Sequence, residues 1–396
     1  MPRAFWLIFI GHFINTTGSS FLWPLNTIYL HEYLGKSLSV AGFVLMLNAG
    51  ASVVGNLLGG YLFDKIGGFK AIISGAGITL IALVILTFSH GWPSYPILLV
   101  FIGLGSGIVN PSIYAMAGVA WKEGGRRAFN AMYVAANIGV AIGSAMGGFI
   151  ASISFNLIFI SNLTLYIVFF FIAYFYYRHI SDEAVSATSA IKIHSPNNKD
   201  YSPNMRALLI VSIGYALCWV GYVQWQTTIA TYTQDLKISL EQYSLLWTVN
   251  GALIVLAQPL LAVFVNKFAK TVKVQMVTGI FIFILSFGVV FLSSKFTGFL
   301  AAMIILTCGE MLVWPAIPTI ADMLAPKGKQ GFYQGIVNSA ATGGRMIGPM
   351  LGGILVDQYG IHLLMIILVF FFIIAIGTSL FYDKGLQEEK QLTKIV

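Results

Sequence analysis

The sequence predicts an all-α integral membrane protein in which twelve transmembrane helices form two pseudo-symmetric bundles of six. Three observations predict this fold. Of 396 residues, 58% are hydrophobic and 9% are charged, against roughly 25% charged residues in soluble domains. The apolar residues fall into runs of about twenty, the length of helix that crosses ~30 Å of hydrocarbon. Matching features also recur at a spacing of roughly 200 residues, as in an internal duplication.

Twelve apolar runs set the expected helices. They cover residues 4–30, 39–62, 69–89, 95–119, 128–152 and 156–177, then 205–232, 243–265, 272–293, 297–323, 332–355 and 361–382. Membrane β-strands would instead alternate apolar and polar residues over segments of ~10 residues. Residues 363–379 are apolar on every face, so the pattern favours helices.

One long polar stretch separates two similar halves. It predicts an N-terminal six-helix bundle at 1–177, a cytoplasmic linker at 178–204 and a C-terminal six-helix bundle at 205–396. The matched features are Asn48 with Asn250, Pro111 with Pro315, and Gly139–Gly148 with Gly344–Gly353. We therefore expect parallel halves related by an axis along the membrane normal.

The positive charge is unevenly placed. The net charge is +8 and there are 22 Lys and Arg residues. If the N-terminus is cytoplasmic, the outer loops hold only Lys36, Lys237 and Lys295, and Arg345 lies inside an apolar run. The remaining 18 lie in inner loops and termini. This bias predicts that both termini are cytoplasmic, so the basic charge indicates orientation in the bilayer and no nucleic-acid partner. The lack of other targeting signals leads us to expect a multi-pass protein of the plasma membrane.

Residues 60–70 read Gly-Tyr-Leu-Phe-Asp-Lys-Ile-Gly-Gly-Phe-Lys. They resemble the signature G-x-L-x-D-[RK]-x-G-[RK]-[RK] of the major facilitator superfamily, although Gly68 and Phe69 replace its basic pair. The matching residues are Gly60, Asp64, Lys65 and Gly67. A carboxylate at a helix end can hold basic partners or a helix N-terminus, so the resemblance implies a role in conformational gating. The alternative is that Asp64 is a solvated loop acid.

Two glycine-rich elements resemble the G-x-x-x-G-P-x-x-G-G element of the antiporter branch of this superfamily. One holds Gly139 and Gly143, with Ser144 in place of the proline. The other holds Gly344, Gly348 and Pro349. The resemblance implies the major facilitator fold, alternating access and efflux. The alternative is that these residues only allow close helix packing.

Two charged residues, Glu310 and Arg345, lie near the centres of predicted helices. A charge there costs on the order of 2.5–3.5 kcal/mol on insertion scales, and such residues usually face a cavity or a partner. Gly309-Glu310, followed by Trp314-Pro315, resembles the acidic site of multidrug proton antiporters. We therefore predict proton coupling at Glu310 and Arg345, with the two side chains close together, and name His12 as a further candidate. The alternatives are a static ion pair and a hydrogen-bonded packing histidine.

Aromatic and amide side chains are the candidates for a substrate cavity. They are Tyr215, Trp219, Tyr222, Gln224, Trp225, Gln226, Asn26, Asn48, Asn250 and Trp314. Aromatic rings stack on flat or cationic ligands, and amides fix their orientation. Ordinary packing and an interfacial aromatic belt are the alternatives.

The sequence thus predicts a secondary active transporter that exports hydrophobic or cationic drugs in exchange for protons. A proton-coupled transporter of sugars or another polar metabolite is the first alternative, and a non-transporting membrane receptor or scaffold is the second. The sequence shows no nucleophile constellation, metal cluster or phosphate-binding loop, so we expect neither an enzyme nor a cofactor. The expected partners are a small-molecule substrate, protons and the lipid bilayer, and we expect a monomer.

Overall fold

The computed structural model describes residues 1–22, 25–36, 38–189, 202–384 and 386, and within these ranges it is helical without strands. The helices are α1 (Arg3–Leu22), α2 (Leu38–Ile66), α3 (Gly68–Phe88), α4 (Ser94–Ala120), α5 (Arg126–Ile153), α6 (Phe155–Ser189), α7 (Ser202–Tyr222), α8 (Thr228–Asp235), α9 (Leu240–Leu256), α10 (Gln258–Lys267), α11 (Val272–Leu292), α12 (Phe296–Leu324), α13 (Gln330–Tyr359) and α14 (Ile361–Phe381).

Each of the twelve expected spans contains a helix. Among the described residues, nine helices are long and apolar enough to cross a membrane, and the bent pair α9–α10 would make a tenth. Helices α1 and α13 are not among these nine, and both are rich in Gly, Ser, Thr and Asn. They occupy the positions of the first and eleventh spans. The protein is therefore an all-α membrane protein with twelve transmembrane helices.

Two of the expected spans are broken. The seventh consists of α7 and α8, joined by a 3-10 turn at Val223–Gln226. The eighth consists of α9 and α10, whose axes differ by 65°. Pro259 lies in the first turn of α10 and cannot donate a backbone hydrogen bond to the preceding helix. Hydropathy predicts the length of a span but not such a break.

The linker differs from the expected boundaries at both ends. Helix α6 continues to Ser189, twelve residues past the expected end at residue 177. Helix α7 begins at Ser202 rather than 205. The rest of the expected linker, 190–201, lies outside the described residues.

The chain divides into two compact units. The first comprises Met1–Pro196 and Ala325–Ser339, and the second comprises Asn197–Leu324 and Ala340–Val396. In the first unit, backbone atoms of α2 and α4 approach closely because both helices carry glycine where they meet. A Cβ atom on Gly55 or Gly59 would clash with the backbone of Leu104 or Ile108. These small residues let the helices pack backbone to backbone.

In the second unit, α7 packs against α13 through a similar stripe of glycines. A Cβ on Gly344 would meet Ala216, one on Gly348 would meet Val220, and one on Gly352 would meet the Gln224 side chain. Helix α12 packs along α11, and α14 packs against α7 and α11. This arrangement brings the C-terminal part of α7 and the middle parts of α9, α12 and α13 around one group of polar and aromatic side chains.

Candidate substrate and proton site

Glu310 is the acid at the centre of the site in the second unit. It lies near the middle of α12, and only 3% of its surface is exposed. Its carboxylate oxygen Oε2 accepts hydrogen bonds from the Tyr222 hydroxyl at 3.1 Å and from Asn250 Nδ2 at 2.9 Å. Hydrogen bonds from neutral donors to a charged acceptor are worth ~1.5–3 kcal/mol each. The neighbouring helices therefore provide Glu310 with donors suited to its ionised form.

A wall of aromatic rings lies beside this acid. The indoles of Trp219 and Trp314 stack with centroids 4.5 Å apart and planes 3° apart. Tyr222 packs edge-on against both indoles, at 5.3 Å from Trp219 and 5.4 Å from Trp314. Tyr215 packs edge-on against Trp314 at 5.6 Å. We call Tyr215, Trp219, Tyr222 and Trp314 the aromatic wall.

Arg345 lies against the aromatic wall and forms no ion pair with Glu310, which corrects the expected partnership of the two charges. Its guanidinium carbon lies 4.8 Å from the centroid of the Trp219 ring, and its Nη2 lies 3.4 Å from the Thr342 hydroxyl. Within the described residues, no ion pair joins Arg345 to an acid. Each charge has its own stabilising surroundings: the indole face attracts the cation, and the Tyr222 and Asn250 donors serve the carboxylate.

Thr307 and Trp247 also belong to this site, although neither was predicted from the sequence. Thr307 accepts a hydrogen bond from Asn250 at 2.9 Å and donates to the Met303 carbonyl. Trp247 lies one turn before Asn250 and packs 6.3 Å from the Tyr222 ring. Both could have been found from helical spacing, because each lies three residues before a predicted site residue and therefore on the same face.

His12 lies apart from this site, in the first unit. It is 4% exposed, and its ring packs edge-on against Tyr114 at 5.4 Å. Neither ring nitrogen has a hydrogen-bond partner among the described residues. This arrangement does not match the expected alternative of a hydrogen-bonded packing histidine. The coupling role of His12 stays a prediction.

Four of the predicted cavity residues form hydrogen bonds away from Glu310, and a fifth, Gln226, is exposed. Gln224 is fully buried and donates to the carbonyls of Val220 and Gly348, so its amide joins α7 to α13. The backbone carbonyl of Trp225 accepts a hydrogen bond from Tyr243, and Gln226 is exposed. Asn26 accepts a hydrogen bond from Tyr95, and Asn48 donates one to the Leu99 carbonyl. The amides of Gln224, Asn26 and Asn48 hold helices together, so the structure does not bring them to Glu310.

Asp64 contacts the start of a helix, as its motif predicts. Its Oδ1 accepts from the Gly331 N–H at 2.8 Å and its Oδ2 accepts from the Phe332 N–H at 2.9 Å. Both amides lie in the first turn of α13, where N–H groups lack partners within the helix and favour a negative charge. Gly60 lies against the same turn, so a Cβ there would clash with Gly331. Asp64 is therefore no solvated loop acid.

The other residues of the gating motifs fall into three groups. Gly67 has φ of 90° at the turn between α2 and α3, which only glycine adopts readily, and Lys65 is exposed beside the Tyr61 ring. Gly139 and Gly143 bring α5 close to α1, as Gly344 and Gly348 bring α13 close to α7. Pro349 lies inside α13 and cannot donate to the Arg345 carbonyl one turn earlier.

The family follows from comparison of the whole sequence with known proteins. The model of the Major Facilitator Superfamily matches residues 8–232 and 212–394, which together span nearly the entire chain. The chain belongs to the major facilitator superfamily. It is therefore a multi-pass membrane transporter of small molecules and not an enzyme.

Relatives and solved structures agree with this assignment. The uncharacterized MFS-type transporter YttB of Bacillus subtilis (strain 168) is 59% identical over 100% of this chain and 98% of its own. A Na(+), Li(+), K(+)/H(+) antiporter of Planococcus maritimus is 26% identical, with 86% and 87% covered. The quinolone resistance protein NorA of Staphylococcus aureus (strain MSSA476) is 24% identical, with 91% of each chain covered. A bacterial homologue of the iron transporter ferroportin, in its outward-facing state, superposes with a TM-score of 0.79 at 13% identity, covering 96% of this chain and 100% of that one.

Proposed function

We propose that this major facilitator protein exports lipophilic cationic compounds in exchange for protons, with Glu310 as the group that binds the proton. The observation that carries the proposal is a carboxylate buried near the middle of α12, held by Tyr222 and Asn250 and bordered by the aromatic wall. The low-identity relatives NorA and the cation/proton antiporter point in the same direction by their names.

The exchange follows from competition for one carboxylate. Ionised Glu310 attracts a cationic substrate, and the aromatic rings beside it stabilise flat or positively charged groups. A proton that binds Glu310 removes the charge and with it much of the attraction for the cation. A ligand shifts a conformational equilibrium only by its difference in affinity between the two states. Proton binding on one side of the membrane and release on the other can thereby drive the substrate uphill.

The contacts of the amides favour a lipophilic substrate over a sugar. A sugar site needs several hydrogen-bonding side chains that are available to the ligand. Gln224, Asn26 and Asn48 already bond to other helices, and Asn250 bonds to Thr307 and Glu310. What remains beside the acid is mainly aromatic surface. The polar-metabolite alternative therefore has less support than the export of lipophilic cations.

Transport into proteoliposomes tests the proposal. With an acidic lumen, proton exit should drive accumulation of the lipophilic cation ethidium by the native protein. The variant Glu310→Gln resembles the neutral acid and cannot cycle, so it should bind ethidium more weakly and fail to concentrate it, while exchange of ethidium for ethidium continues at saturating ethidium. Asp357→Asn is the matched control, because it makes the same change at an exposed acid near the end of α13.

Three results would contradict parts of this proposal. If Glu310→Gln concentrates ethidium at the native rate, Glu310 is structural and His12 becomes the next coupling candidate. If a labelled sugar accumulates and ethidium does not, the substrate class is wrong. If a gradient of Na⁺ or K⁺, but not of pH, drives ethidium accumulation, the coupling ion is wrong.

A further inference from the structure

The surroundings of Arg345 are unusual for a charge near the middle of a transmembrane helix. Such a cation normally pairs with an acid or a carbonyl, because its burial is costly. Here the guanidinium faces the Trp219 ring and a hydroxyl at the long distance of 3.4 Å. In the part of the chain that the structure describes, no acid pairs with it. Arg345 is an exposed residue of α13, so a bound molecule could supply the missing anion.

A buried donor of the aromatic wall lacks an acceptor. Trp314 is 6% exposed and stacks on Trp219, the ring that holds the guanidinium. Its indole nitrogen Nε1 is buried and makes no hydrogen bond within the described residues. A buried donor without a partner costs roughly 1–3 kcal/mol. The aromatic wall therefore holds a donor whose hydrogen bond is unmade within the described part of the chain.

The negative group of the site lies on the same wall. Tyr222 packs against both Trp219 and Trp314, and its hydroxyl donates to Glu310. The wall therefore carries one cation and one acid that have separate partners. A ligand with a single positive charge would match Glu310 only and would leave Arg345 without an anion.

We propose that the site recognises planar aromatic zwitterions, with the cationic group directed to Glu310, the ring system against Trp219 and Trp314, and a carboxylate on Arg345. This inference rests on the proposed function and narrows its substrate class to compounds that carry a carboxylate as well as the cationic group, so that a pure cation such as ethidium is a weaker substrate. A guanidinium binds a carboxylate through two parallel hydrogen bonds, which gives direction as well as affinity. Selectivity against purely cationic compounds follows, since they leave the guanidinium unpaired.

Two dyes that differ only in the carboxylate provide the test. Rhodamine 110 is a zwitterion with a planar xanthene ring near neutral pH, and its methyl ester, rhodamine 123, is a cation. We expect the purified native protein to bind rhodamine 110 at least about tenfold more tightly than rhodamine 123 in a fluorescence anisotropy titration, which corresponds to ~1.4 kcal/mol. Equal affinities, tighter binding of the ester, or binding of neither dye would overturn the proposal.

Substitutions at Arg345 test whether this residue causes the preference for rhodamine 110 over rhodamine 123. Arg345→Gln should lower the affinity for rhodamine 110 about tenfold and leave that for rhodamine 123 within about twofold, so the ester also reports a folded site. Arg345→Lys keeps the charge but not the paired donors and should give an intermediate ratio. The matched control is Lys267→Gln, which removes an exposed cation that lies beside Phe268. An unchanged dye ratio in Arg345→Gln would refute recognition by Arg345.

The two proposals can fail separately. If Glu310→Gln abolishes uphill transport and Arg345→Gln leaves the dye ratio unchanged, the proton coupling stands and the zwitterion proposal is wrong. If Arg345→Gln removes the dye preference and Glu310→Gln transports uphill at the native rate, the recognition stands and the proton coupling is wrong.

Discussion

Replacement of Asp64 by Asn should release the first turn of α13 while the protein stays folded. The carboxylate of Asp64 uses both oxygens, on the N–H groups of Gly331 and Phe332. An Asn side chain offers one acceptor, and its amide group would face the other N–H as a second donor. The variant loses a charge-assisted hydrogen bond worth ~1.5–3 kcal/mol and the attraction of a charge to the helix start, worth ~0.3–1 kcal/mol.

The combined cost is about 2–4 kcal/mol, which changes the equilibrium between the bound and released first turn by roughly 30- to 1,000-fold. Hydrogen–deuterium exchange measures this directly, because the released amides exchange faster. We expect faster exchange in the segment 325–339 of Asp64→Asn and near-native exchange in Asp64→Glu, which keeps the carboxylate. Lys70→Gln, at an exposed residue in the first turn of α3, should leave the exchange unchanged.

Transport should report the same change. If the contact of Asp64 with α13 forms and breaks during the cycle, Asp64→Asn should transport several-fold more slowly and keep most of its substrate binding. Native exchange in 325–339 together with native transport would refute the reasoning and make the contact between Asp64 and α13 incidental.

Three further outcomes are expected. Tyr222→Phe keeps the ring but removes a donor to the buried glutamate, so proton-driven dye accumulation should fall several-fold with little change in dye binding. Native accumulation in this variant would remove the hydroxyl from the mechanism. Gly348→Ala should destabilise the protein by about 1–3 kcal/mol through overpacking, seen as a lower Tm in detergent. Gly353→Ala, which meets nothing within 4 Å, should not, and an equal loss in both would contradict the packing argument. Reporters fused after Lys192 and after Val396, both outside the described residues, should read cytoplasmic, and an outward signal from either would contradict the topology.

The sequence predicted the helices well because their length and composition are dictated by the bilayer. Helix α12 was expected at 297–323 and is found at Phe296–Leu324, and α14 was expected at 361–382 and is found at Ile361–Phe381. The break in the seventh span was not predicted. Gln224 accounts for part of it, since its side chain donates to the Val220 carbonyl and competes with the helical hydrogen-bond pattern.

The site was predicted less completely, because sequence shows which residues are costly in a membrane but not which way each helix faces. Glu310, Tyr222 and Asn250 were each chosen for their chemistry, and the structure brings them together. The pairing of Glu310 with Arg345 was wrong, since the positions of two residues along their helices do not fix their directions. Gln224 was misjudged for the same reason, because its amide is directed to α13.

The internal repeat of the sequence allows the two halves to be compared position by position. The repeat that matches Pro111 with Pro315 places Ser106 opposite Glu310, and the glycine elements place Val140 opposite Arg345. The glycines of both copies perform the same packing, α5 on α1 and α13 on α7. The shared scaffold is therefore preserved, and the two halves differ where the second carries an acid and a cation. Because a charge within the bilayer costs stability without improving helix packing, these two departures from the repeat are where binding chemistry is expected.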